Sequence, residues 1–343
     1  MRLPIVALFT SGVVLCLWVP VHTASGDTGQ AANACHSIAS GMSCTCTEQG
    51  DVAAKLSAVI SEQKPALEIL CKPDKLTCAP DGLKDGKVCP ENTTTLTDCK
   101  DPRQCIEVGS LLFPSSTKVS WTESNASADE KPRMLTIPEG TFPFSDRHFV
   151  VGCLDNDKTK TKCIVDVTIN ARSTVTNGQT VTCSYGKTSN PSHQTIKLTS
   201  SQNSFTLVCG EDGEVLPTLY QKTYCTGDAS ADAAGICSGN YSTVVPTYQE
   251  GWWSKGDEPK PNSFTLTIPR DQFPENDGKI MVGCRKSEKK PLEKSGTPVP
   301  AGASVCSVDV TIEGTGPASS SSLLSTGFSA LLALGASGWV VAA

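Results

Sequence analysis

A cysteine-bearing pattern occurs twice in this chain, and the duplication constrains the fold more than any other feature of the sequence. Three segments of the first copy recur 131 positions later, and a fourth recurs 143 positions later, so the second copy carries a loop twelve residues longer. A repeat of this length indicates duplication of a whole domain rather than the short units of a solenoid. The matched segments are Leu135-Thr-Ile-Pro with Leu266-Thr-Ile-Pro, Phe142-Pro with Phe273-Pro, Val151-Gly-Cys153 with Val282-Gly-Cys284, and Cys163-Ile-Val-Asp-Val-Thr-Ile169 with Cys306-Ser-Val-Asp-Val-Thr-Ile312.

The repeated segments have the composition and periodicity of β-strands. They are rich in Val, Ile, Thr and Phe and lie between Gly and Pro residues, which is typical of strands. Because alternate side chains of a strand share a face, Cys153 points the same way as Val151, and Cys163 the same way as Val165. We therefore expect the cysteines between two packed sheets. Residues 52–60 are ambiguous, since their apolar residues would also suit one face of a helix.

The two ends of the chain carry the signals of a secreted, lipid-anchored protein. Arg2, an apolar run and small residues up to Gly26 predict a signal peptide that is cleaved after Gly26 or Ala24. A small and polar stretch from Gly314 precedes an uncharged hydrophobic tail at residues 323–343, which predicts a GPI anchor rather than a tail-anchored span. The candidate attachment residues are Gly314 and Ser319.

These signals and the repeat divide the chain into five parts and place it at the cell surface. We expect the mature protein on the outer leaflet of the plasma membrane, held there by the anchor. The parts are a signal peptide (1–26), an N-terminal segment (27–43), a first domain (44–171), a second domain (172–313), and the anchor signal with its removed hydrophobic tail (314–343).

The number of cysteines indicates a disulfide framework. Loss of Cys16 with the signal peptide leaves sixteen of the seventeen cysteines, an even number in a chain bound for an oxidising compartment. Zinc is disfavoured by four histidines and the lack of a repeated C-x-x-C. The second copy has six cysteines, which permit fifteen connectivities, and the spacing alone does not choose among them. The first copy has ten, and two extra bridges in its N-terminal half are the simplest arrangement.

These residues together resemble the SRS family, the GPI-anchored surface antigens of tissue-cyst-forming coccidian parasites. The resemblance covers essentially the whole chain and implies an all-β fold of two tandem disulfide-linked sandwich domains, with a blue-copper-like topology but no copper. It rests on Phe149-Val-Val-Gly-Cys153, Ile280-Met-Val-Gly-Cys284, Cys183-Ser-Tyr-Gly186, Leu207-Val-Cys-Gly210, the pair Trp252-Trp253 and the anchor signal.

The resemblance also implies a disulfide pattern of first to sixth, second to fifth and third to fourth cysteine in each domain. In the first domain the partner of Cys89 is Cys105, with Cys99 as the alternative, and the pairing of Cys35, Cys44, Cys78 and Cys99 stays open. The implied bridges are Cys183–Cys306, Cys209–Cys284, Cys225–Cys237, Cys46–Cys163, Cys71–Cys153 and Cys89–Cys105.

Function is less constrained than fold. The sequence contains no G-x-S-x-G, H-E-x-x-H or phosphate-binding glycine loop, so we expect neither an enzyme nor a cofactor. Residues 27–171 carry 15 basic against 20 acidic side chains, and residues 172–314 carry 13 against 15. This balance argues against nucleic acid as a partner and predicts weak long-range attraction to a polyanion.

Local features still offer candidate contacts with a host. Lys158, Lys160 and Lys162 form a dense loop that could hold sulfate groups, although such runs are more often solvated loops. A tryptophan pair could form a ligand surface, but Trp121 lies 131 positions before Trp252 and favours packing instead. Three sequons are candidate N-glycosylation sites: Asn92, Asn125 and Asn240.

The resemblance implies attachment to host cells through surface glycans or receptors, and recognition by host antibody. It also implies membrane attachment through the GPI anchor and a homodimer through the first domain. The alternative is a structural coat or immune-decoy antigen that has no high-affinity ligand.

Overall fold

The computed structural model describes residues 32–48, 50, 52–73, 75–123, 132–226, 237–256, 262–287 and 304–316. Within these ranges the chain forms strands and short 3-10 helices and no α-helix. None of its helices there is long and apolar enough to cross a membrane. The signal peptide, the hydrophobic tail, Asn125 and Ser319 lie outside the described residues.

The first domain contains two facing sheets. One has the strand order β1-β2-β4-β9-β8, and the other has the order β3-β11-β10-β6-β7, with β5 also paired to β10. Its 3-10 helices are Asp81–Asp85, Leu96–Cys99, Pro102–Gln104 and Val108–Leu111. Its strands are β1 (Ala34–Ile38), β2 (Gly41–Thr47), β3 (Ala54–Ile60), β4 (Ala66–Lys72), β5 (Thr77–Ala79), β6 (Lys87–Pro90), β7 (Ile106–Glu107), β8 (Trp121–Glu123), β9 (Arg133–Thr136), β10 (Arg147–Leu154) and β11 (Thr161–Ile169).

The second domain repeats this arrangement. Its sheets have the orders β12-β13-β15-β20-β19 and β14-β22-β21-β16, and β17 pairs with β18 beside them. Its 3-10 helices are Tyr241–Thr243 and Glu250–Trp252. Its strands are β12 (Val175–Asn177), β13 (Thr180–Thr182), β14 (Gln194–Leu198), β15 (Ser204–Val208), β16 (Gly213–Leu216), β17 (Thr223–Tyr224), β18 (Gly239–Asn240), β19 (Trp253–Lys255), β20 (Ser263–Thr267), β21 (Gly278–Lys286) and β22 (Cys306–Ile312).

The predicted fold class, two tandem disulfide-linked β-sandwiches, is confirmed. The ambiguous stretch at residues 52–60 forms β3, which runs parallel to β11. In the second domain β14 runs parallel to β22 in the same way. The glycine of each Val-Gly-Cys motif permits the close approach of β10 to β11 and of β21 to β22. A Cβ atom on Gly152 or Gly283 would lie 2.1 Å from the carbonyl oxygen of Cys163 or Cys306, respectively.

Two neighbouring disulfides cross the core of each sandwich. Cys46 is the register partner of Cys71 in one sheet, and Cys153 is the register partner of Cys163 in the other. The bridges Cys46–Cys163 and Cys71–Cys153 therefore join the two sheets side by side. A bridge of this kind contributes about 2 to 4 kcal/mol. The second domain has the corresponding bridges Cys183–Cys306 and Cys209–Cys284, and these four are the inter-sheet pairs that the resemblance implies.

The remaining cysteines depart from the expected pattern in two places. Cys89 is bonded to Cys99 and not to Cys105, which corrects the expected Cys89–Cys105 bridge. The 3-10 helix Leu96–Cys99 packs on the outer face of the sheet, where Cys89 and Cys99 are buried in one apolar cluster, whereas Cys105 is only half-buried at its edge. Cys225–Cys237 is bonded as the resemblance implies, and Cys35–Cys44 is an extra bridge of the first domain. Cys78 and Cys105 are free thiols, so the described part of the first domain forms one extra bridge and not the two expected.

Trp121 and Trp253 pack as core residues. The structural equivalent of Trp121 is thus one position after Trp252, the residue that the sequence repeat pairs with it. Trp121 is the register partner of Leu135, and Trp253 is the register partner of Leu266, so Trp253 rather than Trp252 is the structural equivalent of Trp121. Both of these tryptophans are 3% exposed. Trp252 is half-buried and makes an edge contact with the ring of Tyr248.

Candidate functional site

The lysine loop between β10 and β11 is built around Asp155. The carboxylate of Asp155 accepts hydrogen bonds from the backbone N–H groups of Thr159 (2.7 Å) and Lys160 (3.1 Å) and from the Thr159 hydroxyl (3.0 Å). These backbone hydrogen bonds, that of Lys160 first, hold the pKa of Asp155 below its usual value. The loop conformation is thus fixed by an acid, which itself offsets part of the positive charge of the loop.

Two of the three loop lysines are paired with carboxylates. Lys158 Nζ lies 2.7 Å from Asp81 Oδ1, and Lys162 Nζ lies 3.3 Å from Glu48 Oε1. Lys160 is exposed and has no carboxylate partner among the described residues. The lysines are brought together on one loop, as the sequence suggests, but the geometry leaves only one unpaired cation for a polyanion.

The two described sequons are accessible. Asn92 is exposed in the turn after β6. Asn240 is also exposed, and its Oδ1 accepts a hydrogen bond from the N–H of Ser242 (2.9 Å), which starts the 3-10 helix Tyr241–Thr243. In that arrangement the amide nitrogen of Asn240, the atom that carries a glycan, is not used by the cap.

A second cluster of polar groups lies at the junction of the two domains. The loop after Phe142 offers three acceptors to the chain that leaves the first domain. The Asp146 carboxylate accepts from the N–H of Ala171 (2.7 Å), and the carbonyl of Pro143 accepts from the N–H of Arg172 (2.9 Å). The carbonyl of Phe144 accepts from the N–H of Tyr185 in the second domain (2.7 Å).

The Cys183-Ser-Tyr-Gly186 motif supplies the other side of this junction. The motif contributes the N–H of Tyr185 and also its side chain. The Tyr185 hydroxyl is buried and donates to the carbonyl of Cys209 (2.7 Å). Burial raises the pKa of this hydroxyl. A Cβ atom on Gly186 would lie 2.4 Å from Asp146 Oδ1 and 2.7 Å from Ala171 Cβ. The glycine therefore lets the second domain approach the exit loop of the first.

Two arginines complete the junction. Arg147 Nη2 lies 2.8 Å from Asp212 Oδ2 across the domain boundary. The Arg172 side chain donates to the carbonyls of Phe142 and Gly140. Its guanidinium lies 4.5 Å from the ring centroid of Phe144 and 5.6 Å from that of Phe113, which are cation–π distances. Burial lowers the pKa of Arg172 from its ordinary value.

The same exit geometry recurs at the end of the second domain. Asp277 Oδ1 accepts from the N–H of Gly314 (2.8 Å), as Asp146 does from Ala171. The carbonyls of Pro274 and Glu275 accept from the N–H groups of Thr315 (2.8 Å) and Gly316 (2.9 Å). Residues up to Gly316 are therefore part of the folded second domain.

A groove lies beside the junction, between the two domains. Its cavity volume is about 870 Å³. The first domain contributes an apolar strip and the exposed Asn92, and the second contributes polar side chains that include two lysines. The residues that matter for its chemistry are Val59, Ile106, Leu111, Asn92, Glu91, His148, Asn170, Lys187, Thr188 and Lys286.

The charges in this groove differ from those of the lysine loop. Asp146 also lines it, but its carboxylate is occupied by the N–H groups of Ala171 and Lys187. Arg147 is paired with Asp212. The ammonium groups of Lys187 and Lys286 have no carboxylate partner among the residues that the structure describes. No group of three or more His, Cys, Asp and Glu residues in the described part of the chain is placed to hold a metal ion.

Sequence reasoning missed the junction and the groove. Asp146 and Asp277 lie 131 positions apart, and this match within the repeat could have indicated a shared role for the two acids. No comparable signal exists for Arg147, Asp212, Lys187 or Lys286, because their contacts depend on how the two domains dock.

Comparison with protein-family models supports the repeat found in the sequence. A model described as "SAG: SRS domain" matches residues 41–169 and again residues 179–312. The two matches together span well over half of the chain. Among curated proteins, none matches this chain.

Comparison with solved structures finds matches among antigens of Toxoplasma gondii. The bradyzoite-specific antigen BSR4 is 24% identical, with a TM-score of 0.62, and the match covers 84% of this chain and 99% of BSR4. SporoSAG is 16% identical, with a TM-score of 0.28, over 79% of this chain and 100% of SporoSAG. The likeness to BSR4 indicates the same fold for the two-domain body.

Proposed function

This chain belongs to the SRS-domain family of parasite surface antigens, and from that premise we propose that it is a GPI-anchored adhesin that attaches the parasite to host cells. The hydrogen-bonded junction carries the proposal, because it joins the two disulfide-linked sandwiches into one body. Such a body would hold the first domain away from the membrane. Its exposed surface would also face host antibody.

The exit geometry of the second domain supports an anchor attached beyond Gly316. Attachment at Gly314 would remove Thr315 and Gly316 and with them two backbone hydrogen bonds to the loop at Pro274 and Glu275. Gly314 is itself half-buried and bonded to Asp277, which would hinder the processing enzyme. The proposal therefore favours Ser319 over Gly314 as the attachment residue. Mass spectrometry of the anchor-bearing C-terminal peptide should find its last residue after position 316.

The lysine loop is a poor adhesive site, because two of its three lysines are paired. With Lys158 and Lys162 paired to carboxylates, the loop offers a polyanion little unpaired charge, and the whole chain has a net charge of −6. This observation favours the second candidate function, a coat or immune-decoy antigen without a high-affinity ligand. If the chain is an adhesin, its contact with the host lies elsewhere on the surface.

Binding of the soluble ectodomain, residues 27–316, to host cells separates the two functions. An adhesin should bind saturably, and an excess of unlabelled ectodomain should displace it. A coat antigen should show only the background of an unrelated glycoprotein of similar charge. Background-level binding would reject the adhesin.

A further inference from the structure

We propose that the groove between the two domains binds an acidic sugar, one that carries a single carboxylate. This inference rests on the proposed adhesive function and assigns it a site and a ligand class. The groove lies at a domain interface, where small-molecule sites are common, and its volume of about 870 Å³ is in the range of such sites.

The charges favour one anionic group. Lys187 and Lys286 line the groove without carboxylate partners among the described residues, whereas the neighbouring Asp146 and Arg147 are engaged by other groups. Glu91 is the remaining acid of the lining. Two lysines against one acid can hold a carboxylate, which makes charge-assisted hydrogen bonds with ammonium groups.

The same balance disfavours a polyanion. A chain of sulfates gains affinity from many cations along its path, but the groove offers two unpaired ammonium groups within a protein of net charge −6. Charges beyond the second on such a ligand would find no further unpaired lysine or arginine in the described lining of the groove. The ligand class is thus a sugar with one acid rather than a heparin-like chain.

The rest of the lining suits the body of a sugar. Val59, 45% exposed, Ile106 and Leu111 all line the groove and give it an apolar part on which the C–H face of a pyranose can pack. Nδ1 of His148 lies 3.1 Å from the Thr168 hydroxyl, which leaves Nε2 for a ligand hydroxyl. Asn170 and Thr188 supply further hydrogen-bonding groups. Pockets that combine an apolar wall with a few convergent polar groups are typical of ligand sites.

The sequon at Asn92 stands at the rim of this groove. Asn92 also lines a smaller adjoining cavity of about 310 Å³ together with His148. A glycan on this residue would therefore occupy the entrance and compete with a sugar from the host. Binding should be measured with Asn92→Gln, so that the groove is open.

Titration of the Asn92→Gln ectodomain with 3′-sialyllactose, followed by NMR, tests the inference, with lactose as the uncharged control. We expect binding of sialyllactose and at least ten-fold weaker binding of lactose. The variant Lys187→Glu/Lys286→Glu should lose binding at least ten-fold. Lys222→Glu/Lys255→Glu, on exposed lysines that do not line the groove, should bind as the parent does.

Equal binding of lactose, unchanged binding by the groove variant, or stronger binding of heparin that depends on the same two lysines would overturn the inference. Cell binding by the same proteins distinguishes failure of the groove inference from failure of the proposed adhesive function. If the parent binds cells and the groove variant binds them equally, the groove inference fails and adhesion stands. If the parent does not bind cells, adhesion fails. Matching circular dichroism and thermal unfolding would show that the variants are folded.

Discussion

Arg147 and Asp212 form an ion pair across the boundary between the two domains, with Nη2 and Oδ2 2.8 Å apart. The Asp212 side chain is 15% exposed and the Arg147 side chain 39%, so the pair is partly shielded from water. Arg147 also lines the groove, whereas Asp212 does not.

Replacing Arg147 with Ala should loosen this junction, because it leaves the Asp212 carboxylate half-buried without its partner. We expect a loss of about 1 to 2 kcal/mol in the free energy of unfolding, between the values for exposed and buried pairs. Urea unfolding measures the loss, and hydrogen exchange at Tyr185 reports the junction itself. Arg103→Ala is the matched control, since Arg103 is 89% exposed and pairs within its own loop. An equal effect of both variants would contradict a role for Arg147 in the junction.

Gly186→Ala should separate the domains without changing any charge. The added Cβ would meet Asp146 Oδ1 at 2.4 Å and Ala171 Cβ at 2.7 Å, and such crowding costs about 1 to 3 kcal/mol. Small-angle scattering should show a wider spread of interdomain arrangements, and proteolysis near residues 170–174 should become faster. Gly251→Ala, where a Cβ meets nothing within 4 Å, should have neither effect. A Gly186→Ala protein that scatters like the parent would show that the junction tolerates the methyl group.

The bridge Cys89–Cys99 predicts different results for two cysteine variants. Cys105→Ser should keep every bridge, because Cys105 is a free thiol, although its sulfur lies 3.2 Å from that of Cys99. Cys99→Ser should lose a bridge and about 2 to 3 kcal/mol of stability. Peptide mapping after alkylation in denaturant gives the pairing directly. A peptide that joins Cys89 to Cys105 in the unmutated protein would restore the pairing implied by the family.

Alkylation of Cys78 should require a higher pH than alkylation of Cys105. Burial raises the pKa of the Cys78 thiol to about 11, so the thiolate is scarce at pH 8 and increases about tenfold per pH unit below that pKa. Burial also raises the pKa of the Cys105 thiol, but by less. Alkylation of the folded protein, followed by mass spectrometry, should label Cys105 first at pH 8 and Cys78 only at higher pH. Equal labelling of both at pH 8 would contradict the burial of Cys78.

Removing the acids that pair with the lysine loop should increase retention on heparin. Asp81→Asn and Glu48→Gln together free the ammonium groups of Lys158 and Lys162 and should shift elution to higher salt. Asp271→Asn/Glu250→Gln makes the same change in net charge at exposed positions of the second domain. Equal shifts for the two variants would mean that net charge, and not the paired loop, controls retention.

The sequence predicts the architecture well because the relevant signals are local or repeated. Strand alternation placed Cys153 and Cys163 on the core side, and register partners in the structure then join them to Cys71 and Cys46. The repeat also predicts two sandwiches. The first inference depends on the two-residue period of a strand, and the second depends on a fixed offset along the chain. Both patterns can be recognised without knowing how distant segments pack.

The parts that sequence reasoning did not reach depend on packing between distant segments. Cys99 and Cys105 are six residues apart, and only the position of the 3-10 helix Leu96–Cys99 on the sheet decides which of them meets Cys89. Trp252 and Trp253 could be told apart only by strand register. The neutralisation of Lys158 by Asp81 joins residues 77 positions apart, a contact that no local pattern reports.

The chain leaves both domains through similar loops, and this similarity bears on how a further domain could be added. Asp146 and the loop beside it receive the start of the following domain, while Asp277 and its loop receive Gly314, Thr315 and Gly316. The second exit loop thus keeps the backbone turn of the first, but its acceptors are already used, and Glu275 and Gly278 stand where the first domain has Phe144 and Arg147. A further copy joined after residue 316 would therefore lack the ring and the ion pair of the present junction, so a third domain would be held less firmly unless new contacts replaced them.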